Sequence, residues 1–345
     1  MDLHNRPLLH PPPLPAPAHS PEQAHHREPK ALPSTQSPRR SIDTRGACRH
    51  DRDALIGLPL DFAGHRALRL VSAKGCCRVY HATDPAGLEA AVKTVCADAP
   101  ERTTIRLRNE EAVLRRLRDV EFVPRLLHTG SAGPLRFLIS RWHRGITLHD
   151  LSRHLEMPGP AESRAQADFL ASLALRVCAA FRRLHTHGIV HGDINSRNVL
   201  LHDDSVTILD LESAVLLGPR AQRDSTSPPH RYTAGYAAPE RLRDPPAPLA
   251  PAADQYALAA LLWRLFQGRH HVPATGRRAD LVRRANRPVP PLDQWTARHW
   301  PTLNACLTQA LSPAPEHRYP SLTAFDHALA TALLLPDPNP GKDLT

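Results

Sequence analysis

Residues 191–212 read HGDINSRNVLLHDDSVTILDLE, a polar loop followed by two short apolar segments that flank a pair of aspartates. The aspartate pair is a turn signal between two strand-like runs, so the sequence predicts a tight β-hairpin. Such a hairpin brings Asp193, Asn198 and Asp210 to the same end. Mg²⁺ prefers carboxylate and amide oxygens together with phosphate. The stretch therefore predicts a magnesium site beside a phosphate group.

The segments before this stretch predict a small antiparallel sheet that carries one helix. Short runs of strand composition recur from about residue 65, and residues 84–87 (Asp-Pro-Ala-Gly) supply a turn between two of them. Apolar residues then recur near a 3.6-residue period from Ile105 to Leu117, which predicts a helix packed on the sheet. The candidate strands are residues 67–71, 78–82, 89–95, 125–128 and 135–140.

The second half of the chain is predicted to be mainly helical. A long amphipathic helix runs from Phe169 to Leu184, and Gly188 suits its C-terminal cap. Further helices are predicted over residues 256–266, 303–311 and 322–335. The fold class is therefore α+β, with a small antiparallel β lobe that carries one main helix and a larger, mainly helical lobe.

Composition divides the chain further. The sequence contains 36 prolines, about twice the ordinary usage, and they crowd the first fifty positions. Runs such as residues 10–17 cannot form hydrogen-bonded elements, so residues 1–60 are expected to be a disordered leader rich in proline and histidine. The lobes are expected at residues 65–140 and 147–335, with a hinge at 141–146 and a tail at 336–345.

Charge and cysteine usage exclude several functional classes. The net charge is +10, but no zinc-finger spacing or aromatic-basic pattern accompanies it, so nucleic acid is not an expected partner. No apolar stretch reaches the roughly 20 residues that a bilayer requires. The six cysteines lack disulfide or zinc spacing, and the first residues lack the apolar core of a secretory signal. We therefore expect a cytoplasmic protein without a membrane span.

The spacing H-x-D-x-x-x-x-N, followed by an aspartate at the end of the next strand, resembles the protein kinase superfamily. The resemblance spans roughly residues 65–335 and implies a bilobal kinase fold that transfers phosphate from ATP with Mg²⁺. It implies that Asp193 accepts or orients the proton of the substrate hydroxyl. It also implies that Asn198 and Asp210 hold the metal.

The resemblance also implies a nucleotide site in the small lobe. Lysine occurs only at positions 30, 74, 93 and 342, and Lys93 lies in an apolar strand where Ala-Val-Lys resembles the family's V-A-I-K motif. Its expected carboxylate partner is Glu110 rather than Glu111, because Glu110 stands four residues before Leu114 as the family pattern requires. The other residues expected at the nucleotide are Gly75, Val79, Ala91, Arg141 and His143, with Ser140 as a small gatekeeper.

Remote residues indicate the protein-kinase branch of the superfamily. Residues 238–240 resemble the A-P-E segment, and Thr233 upstream stands where serine/threonine kinases place a threonine that hydrogen-bonds the catalytic aspartate. Asp254 matches the helix aspartate that holds the catalytic loop, and Arg318 matches the arginine that pairs with Glu240. These matches imply a protein or peptide substrate phosphorylated on serine or threonine.

Several positions depart from the family pattern. The glycine-rich loop has Ser72, Lys74 and Cys77 where glycines are usual, so it is expected to grip phosphate differently. The usual catalytic-loop lysine is replaced by asparagine at 195, and Arg197 is the expected surrogate, as in tyrosine-specific kinases. At positions 192 and 212, glycine replaces the arginine of H-R-D and glutamate replaces the glycine of D-F-G, which predicts phosphorylation-independent activation and a less mobile Asp210.

Three functions remain open from the sequence. A protein or peptide kinase is favoured, and the run at residues 72–80 with D-L-E at 210–212 also resembles the kinase domains of lanthionine synthetases. A small-molecule phosphotransferase of the aminoglycoside type shares H-G-D and I-D-x-E but generally lacks the A-P-E segment. A pseudokinase scaffold is the third alternative, because the glycine loop is degraded and the catalytic-loop lysine is missing. The oligomeric state and the regulatory trigger are not indicated.

Overall fold

The computed structural model describes residues 61–96, 98–154, 164–218, 232–273 and 275–334. The predicted leader at 1–60 and the tail at 336–345 lie outside these residues. Within them the chain forms a β-rich lobe followed by a mainly helical lobe, as the α+β prediction requires. None of the described helices combines the length and apolar character that a membrane crossing requires.

The small lobe is a six-stranded antiparallel sheet with the order β1-β2-β3-β4-β6-β5. All five predicted strands are confirmed, and the structure adds a two-residue strand before them. A 16-residue helix, α1, follows β4 at the predicted place. The bounds are β1 Asp61–Phe62, β2 His65–Lys74, β3 Cys77–Thr83, β4 Glu89–Cys96, α1 Glu101–Arg116, β5 Leu126–Ala132 and β6 Leu135–Arg141.

Alternation along β4 divides its side chains between two environments. Ala90 and Val92 face an outer apolar cluster, where Phe62 of β1 closes the sheet. Val95 lies on the other face, in the core that contains the buried side of α1. Lys93 shares that inner face, so the strand directs the lysine side chain toward the large lobe.

The large lobe is built around a central helix, α5, whose side chains are nearly all buried. An apolar surface on every side is typical of a helix in the middle of a core. The three predicted helices, together with the long helix ended by Gly188, are confirmed. The bounds are α2 Leu148–His154, α3 Arg164–Thr186, α4 Pro239–Leu242, α5 Pro251–Gln267, α6 Arg278–Ala285, α7 Gln294–His299, α8 Leu303–Ala310 and α9 Leu322–Leu334.

The predicted hairpin at the lobe junction is also present. Strands β9 (Val199–His202) and β10 (Ser205–Ile208) pair antiparallel, and Asp203 turns the chain with a φ of 50°. A short strand, β7 (Ile146–Thr147), pairs with β9, and two others, β8 (Ile189–Val190) and β11 (Val215–Leu216), pair with each other. The hairpin therefore fixes the two polar loops that precede β9 and follow β10.

A buried ion pair joins the start of α4 to the segment before α9. The guanidinium of Arg318 donates two hydrogen bonds to the Glu240 carboxylate, at 2.7 and 2.9 Å, and its other donors reach the carbonyl oxygens of Ser312, Ala252 and Pro313. The Arg318 side chain is fully buried. Every guanidinium donor is therefore satisfied, which a buried charge requires.

Replacing Arg318 with leucine would leave the Glu240 carboxylate buried without its cation. We expect the free energy of unfolding to fall by about 3–5 kcal/mol. The exposed Arg283–Asp280 pair supplies the control, since Arg283→Leu should cost less than about 1 kcal/mol. Urea denaturation measures both variants. Equal losses would mean that burial of the Glu240 pair has no energetic consequence.

Candidate active site

Lys93 lies in the middle of the small sheet, opposite Val79 of β3 and Leu138 of β6. Its ammonium donates to three carboxylates: Glu110 of α1 at 2.6 Å, Asp210 after β10 at 2.8 Å and Glu212 at 3.0 Å. The structure thus brings Glu110 to the lysine, whereas Glu111 pairs with Arg115 on the exposed face of α1. One cation therefore joins the sheet, the helix and the large lobe.

Charge and burial shift the pKa values of this cluster in opposite directions. Burial alone would lower the pKa of Lys93, but the charges of Asp210, Glu110 and Glu212 raise that pKa well above its ordinary value. Burial raises the pKa of Glu110, and the ammonium of Lys93 opposes that rise. The lysine is consequently a permanent cation among an excess of negative charge.

Glu212 is a contact that sequence reasoning missed. The family pattern has glycine at position 212, yet the backbone there lies in a 3₁₀ turn, Leu211–Ser213, and the positive φ belongs to Asp210, at 61°. Asn109 of α1 donates to the carbonyl oxygens of Glu212 and Ala214, at 3.2 and 2.8 Å. Hydrogen bonds from Lys93 of β4 and from Asn109 of α1 therefore both hold this turn. The acidic residue two positions after Asp210 was the available signal.

The Asp254 carboxylate of α5 accepts backbone hydrogen bonds from the loop that carries Asp193. One Asp254 oxygen accepts from the backbone N–H of His191 at 2.6 Å, and the other accepts from that of Gly192 at 2.9 Å. Burial raises the pKa of Asp254, but the hydrogen bond and charge of His185 offset this, and its pKa is lowered. Asp254 is therefore ionised, and its carboxylate supports the backbone of the Asp193 loop.

Position 192 requires glycine for a steric reason that the sequence alone does not reveal. Its φ is 80°, and a Cβ atom there would lie 2.7 Å from the carbonyl oxygen of Ser213. Residues with a side chain rarely adopt this φ, and the neighbouring backbone leaves no room for one. Position 192, where the family motif has arginine, therefore accepts only glycine in this backbone.

A set of hydrogen bonds orients the Asp193 carboxylate. The hydroxyl of Thr233 donates to Asp193 at 2.8 Å, and the Asn195 amide donates to that hydroxyl at 3.2 Å. The amide N–H groups of Asn195 and Asn198 both donate to the Asp193 carbonyl oxygen, at 3.0 Å. Asn195, which replaces the usual lysine, thus connects the aspartate loop to the segment that contains Thr233.

A cleft of about 710 Å³ lies between the lobes. Gly75 is the one predicted nucleotide contact that does not line it, because it lies at the tip of the β2–β3 hairpin. Cys77 also faces the cleft, and burial raises the pKa of its thiol to about 11, so the thiol stays protonated near neutral pH. The predicted residues that line the cleft are Val79, Ala91, Lys93, Glu110, Ser140, Arg141, His143, Arg197, Asn198 and Asp210.

The oxygen donors at the floor of this cleft suit a magnesium ion. Asn198 uses its amide N–H to bind the Asp193 carbonyl, which leaves its amide oxygen as the group that a cation can bind. Asp210 contributes a carboxylate that lines the same cleft. A carboxylate and an amide oxygen beside a space open to phosphate match the preference of Mg²⁺. These two residues could therefore hold the metal.

Removing the cation from the carboxylate cluster tests its charge balance. We expect Lys93→Met to lower the free energy of unfolding by about 3–5 kcal/mol, because it leaves three carboxylates without their buried partner. Loss of the ammonium raises the already elevated pKa of Glu110 further. A carboxyl whose pKa is raised on folding loses its stabilising effect as pH increases, so the deficit should be larger at about pH 8 than at about pH 5.

Urea denaturation at the two pH values measures this effect. The double variant Lys93→Met/Glu212→Gln supplies the matched comparison, because it removes one of the repelling charges and should recover part of the loss. A deficit that does not change with pH, or a double variant less stable than Lys93→Met, would contradict the proposed charge balance.

Comparison with known proteins gives the same assignment as the fold. A family model described as the protein kinase domain matches residues 75–329, more than half of the chain. The serine/threonine-protein kinase PknB of Mycolicibacterium smegmatis is 26% identical over 192 residues, which are 54% of this chain and 29% of that protein. The serine/threonine-protein kinase PknL of Mycobacterium tuberculosis is 28% identical over 293 residues, 81% of this chain and 70% of that protein.

A solved structure supports the architecture. The kinase domain of Mycobacterium tuberculosis PknI superimposes with a TM-score of 0.57 at 22% identity, covering 79% of this chain and 97% of that domain. The chain spans less than a third of the length of PknB and of two further curated kinases that it matches. The family match, the bilobal fold and the residues gathered at the cleft lead to one conclusion: the chain belongs to the protein kinase family.

Proposed function

We propose that this chain is an ATP-dependent protein kinase that transfers the γ-phosphate to a serine or threonine hydroxyl of a protein or peptide. The observation that carries the proposal is the convergence of Lys93, Asp210 and Asn198 on one interlobe cleft, with Asp193 joined to Asn198 by a 3.0 Å hydrogen bond. Phosphoryl transfer depends mainly on positioning and on electrostatic stabilisation. A permanent ammonium, oxygen ligands for a metal and an oriented carboxylate are the groups that this chemistry requires.

ATP would bind with its phosphates toward Lys93. The ammonium would contact the α- and β-phosphates, while Glu110 holds it in place. Val79 and Ala91 would cover the adenine from the small lobe, and the backbone at Arg141 and His143 would hydrogen-bond its edge. Gly75 would reach the phosphates only if the β2–β3 hairpin moved toward the cleft.

Asn198 and Asp210 would hold Mg²⁺, which when bound neutralises phosphate charge and orients the phosphate chain. Asp193 would accept or orient the proton of the acceptor hydroxyl, and Thr233 would fix its carboxylate through the 2.8 Å hydrogen bond. Arg197, exposed at the edge of the same cleft, would supply the positive charge for the migrating phosphoryl group that the absent lysine normally provides.

The contact between Thr233 and Asp193 favours a serine or threonine acceptor over the alternatives. It joins the segment that precedes Glu240 to the catalytic loop. The buried ion pair between Glu240 and Arg318 fixes the other end of that segment. The named relatives are serine/threonine kinases. The cysteines show no disulfide or zinc spacing, so a reducing compartment, the cytoplasm, is the proposed location.

Substitution of Asp193 tests the reaction. With γ-labelled ATP, Mg²⁺ and a generic serine/threonine acceptor protein, we expect Asp193→Ala to reduce label transfer by about 10²–10⁴-fold, the usual contribution of an acid–base group. Nucleotide affinity should change little, because Asp193 does not line the cleft wall at the phosphates.

Asp119, an exposed aspartate, supplies the control, and Asp119→Ala should transfer label at the wild-type rate. Equal transfer by Asp193→Ala and wild type would refute the catalytic role. Absence of any nucleotide binding by the wild type would favour the scaffold alternative. Transfer to an aminoglycoside but to no protein or peptide would favour the small-molecule alternative.

Thr233 provides a second test, of acceptor positioning. Thr233→Val removes a hydrogen bond to a charged group, which is worth about 1.5–3 kcal/mol, so kcat should fall by about 10–100-fold. Thr233→Ser retains the hydroxyl and should keep most of the rate. KM for ATP should be unchanged in both variants. If valine and serine have the same effect on kcat, the hydroxyl does not orient Asp193.

A further inference from the structure

A group of basic side chains surrounds the part of the catalytic loop that follows Asp193. Arg264 of α5 donates hydrogen bonds to the Ser196 hydroxyl at 2.8 Å and to the Tyr236 hydroxyl at 2.6 Å. Tyr236 in turn donates to Ser196 at 3.0 Å. Arg264 thus lies where the catalytic loop meets the segment that begins at Thr233.

Two further basic residues meet at the same place. The backbone N–H of His149, in the first turn of α2, donates to the Ser196 carbonyl at 2.9 Å. Arg197 follows Ser196 directly and is exposed. Burial, followed by the charges of Arg197 and Arg264, lowers the pKa of His149. Ser196 therefore joins three basic residues: Arg264 by a side-chain hydrogen bond, His149 by a backbone hydrogen bond and Arg197 as its neighbour in the chain.

Arg264 is an unusual residue for its position. It interrupts an otherwise buried, apolar face of α5 and is itself partly exposed. An arginine has five N–H donors, and the two on its Nη1 atom are used by Ser196 and Tyr236. Among the residues that the structure describes, none accepts from its Nε or Nη2 groups, so these donors remain available to a substrate.

The position of these groups relative to the acceptor site defines what they could contact. Thr233 binds Asp193, and the backbone N–H of Tyr236 donates to the Thr233 carbonyl at 2.9 Å, so the Arg264 partner is one turn from the acceptor position. An extended peptide advances by at most about 3.6 Å per residue. A side chain two or three residues from the phosphorylated hydroxyl would therefore reach the basic group.

We propose that Arg264, Arg197 and His149 form an anion-recognition subsite that selects peptides with a carboxylate or phosphoryl group within three residues of the acceptor serine or threonine. The inference rests on the proposed kinase function and adds the class of substrate to it. Arginine suits the role because its planar donors bind carboxylate and phosphate oxygens in pairs. Asp150, the neighbour of His149 in the chain, accepts a hydrogen bond from the Thr147 hydroxyl at 2.7 Å.

Matched peptides test this selection. Each has one acceptor serine, and glutamate, glutamine or phosphoserine is placed in turn at the three positions on either side. We expect kcat/KM with glutamate or phosphoserine to exceed that with glutamine by about fivefold or more at one position at least, which corresponds to a partly exposed charge pair. A larger preference for phosphoserine would identify a phosphoryl group as the ligand, and equal or larger preference for glutamate would identify a carboxylate.

Variants then assign the preference to the subsite. Arg264→Gln should reduce the ratio of acidic to neutral kcat/KM toward one, whereas Arg264→Lys should keep part of it. Arg283→Gln, on an exposed part of α6, should leave the ratio unchanged. A purely structural arginine would change kcat for all peptides alike and leave the ratio intact. If Arg264→Gln does not fold, as judged by thermal denaturation, His149→Gln tests the same ratio.

The outcomes separate this inference from the function on which it rests. Equal kcat/KM for acidic and neutral peptides at every position overturns the subsite and leaves the kinase function standing. An unchanged ratio in folded Arg264→Gln also overturns it. Absence of Asp193-dependent transfer to every peptide and to the acceptor protein overturns the kinase function and the subsite together.

Discussion

The ammonium of Lys93 is the interaction on which the site depends. It is held among Glu110 of α1 and two carboxylates of the turn after β10, Asp210 and Glu212. A buried cation with too few partners is costly, and a buried group of carboxylates without a cation is costly as well. Each charge therefore requires the others, and the sheet, the helix α1 and the turn after β10 are brought to the same place by that requirement.

A second set of constraints comes from α5, which supports the large-lobe side of the cleft. Asp254 holds the catalytic loop by its backbone, and Arg264 meets the same loop three residues after Asp193. Glu240 is fixed by Arg318, which also donates to the carbonyl oxygen of Ala252 in the first turn of α5. The reacting groups lie on loops, but one rigid helix sets their positions.

The fold was largely predictable because its signals are local. The hairpin at 199–208 follows from turn chemistry between two apolar runs, and the pairing of Lys93 with Glu110 follows from the resemblance to the kinase pattern, which places the glutamate four residues before Leu114. Other features depend on contacts between residues that are far apart in the sequence. The contact of Glu212 with Lys93 joins residues 119 positions apart, and the need for Gly192 arises from the backbone of another loop. Arg264 interrupts an apolar run, but its partners could not be deduced from that run.

Strand β1 belongs to the packed part of the small lobe. Phe62 is 1% exposed, and its ring contacts those of Tyr80 and Phe137 at centroid distances of 6.0 and 5.5 Å. A cut at residue 65, the start that composition indicated, would remove Phe62 and expose two aromatic rings on a sheet face to water. Such a trimmed chain would retain every residue of the cleft and still be prone to aggregate.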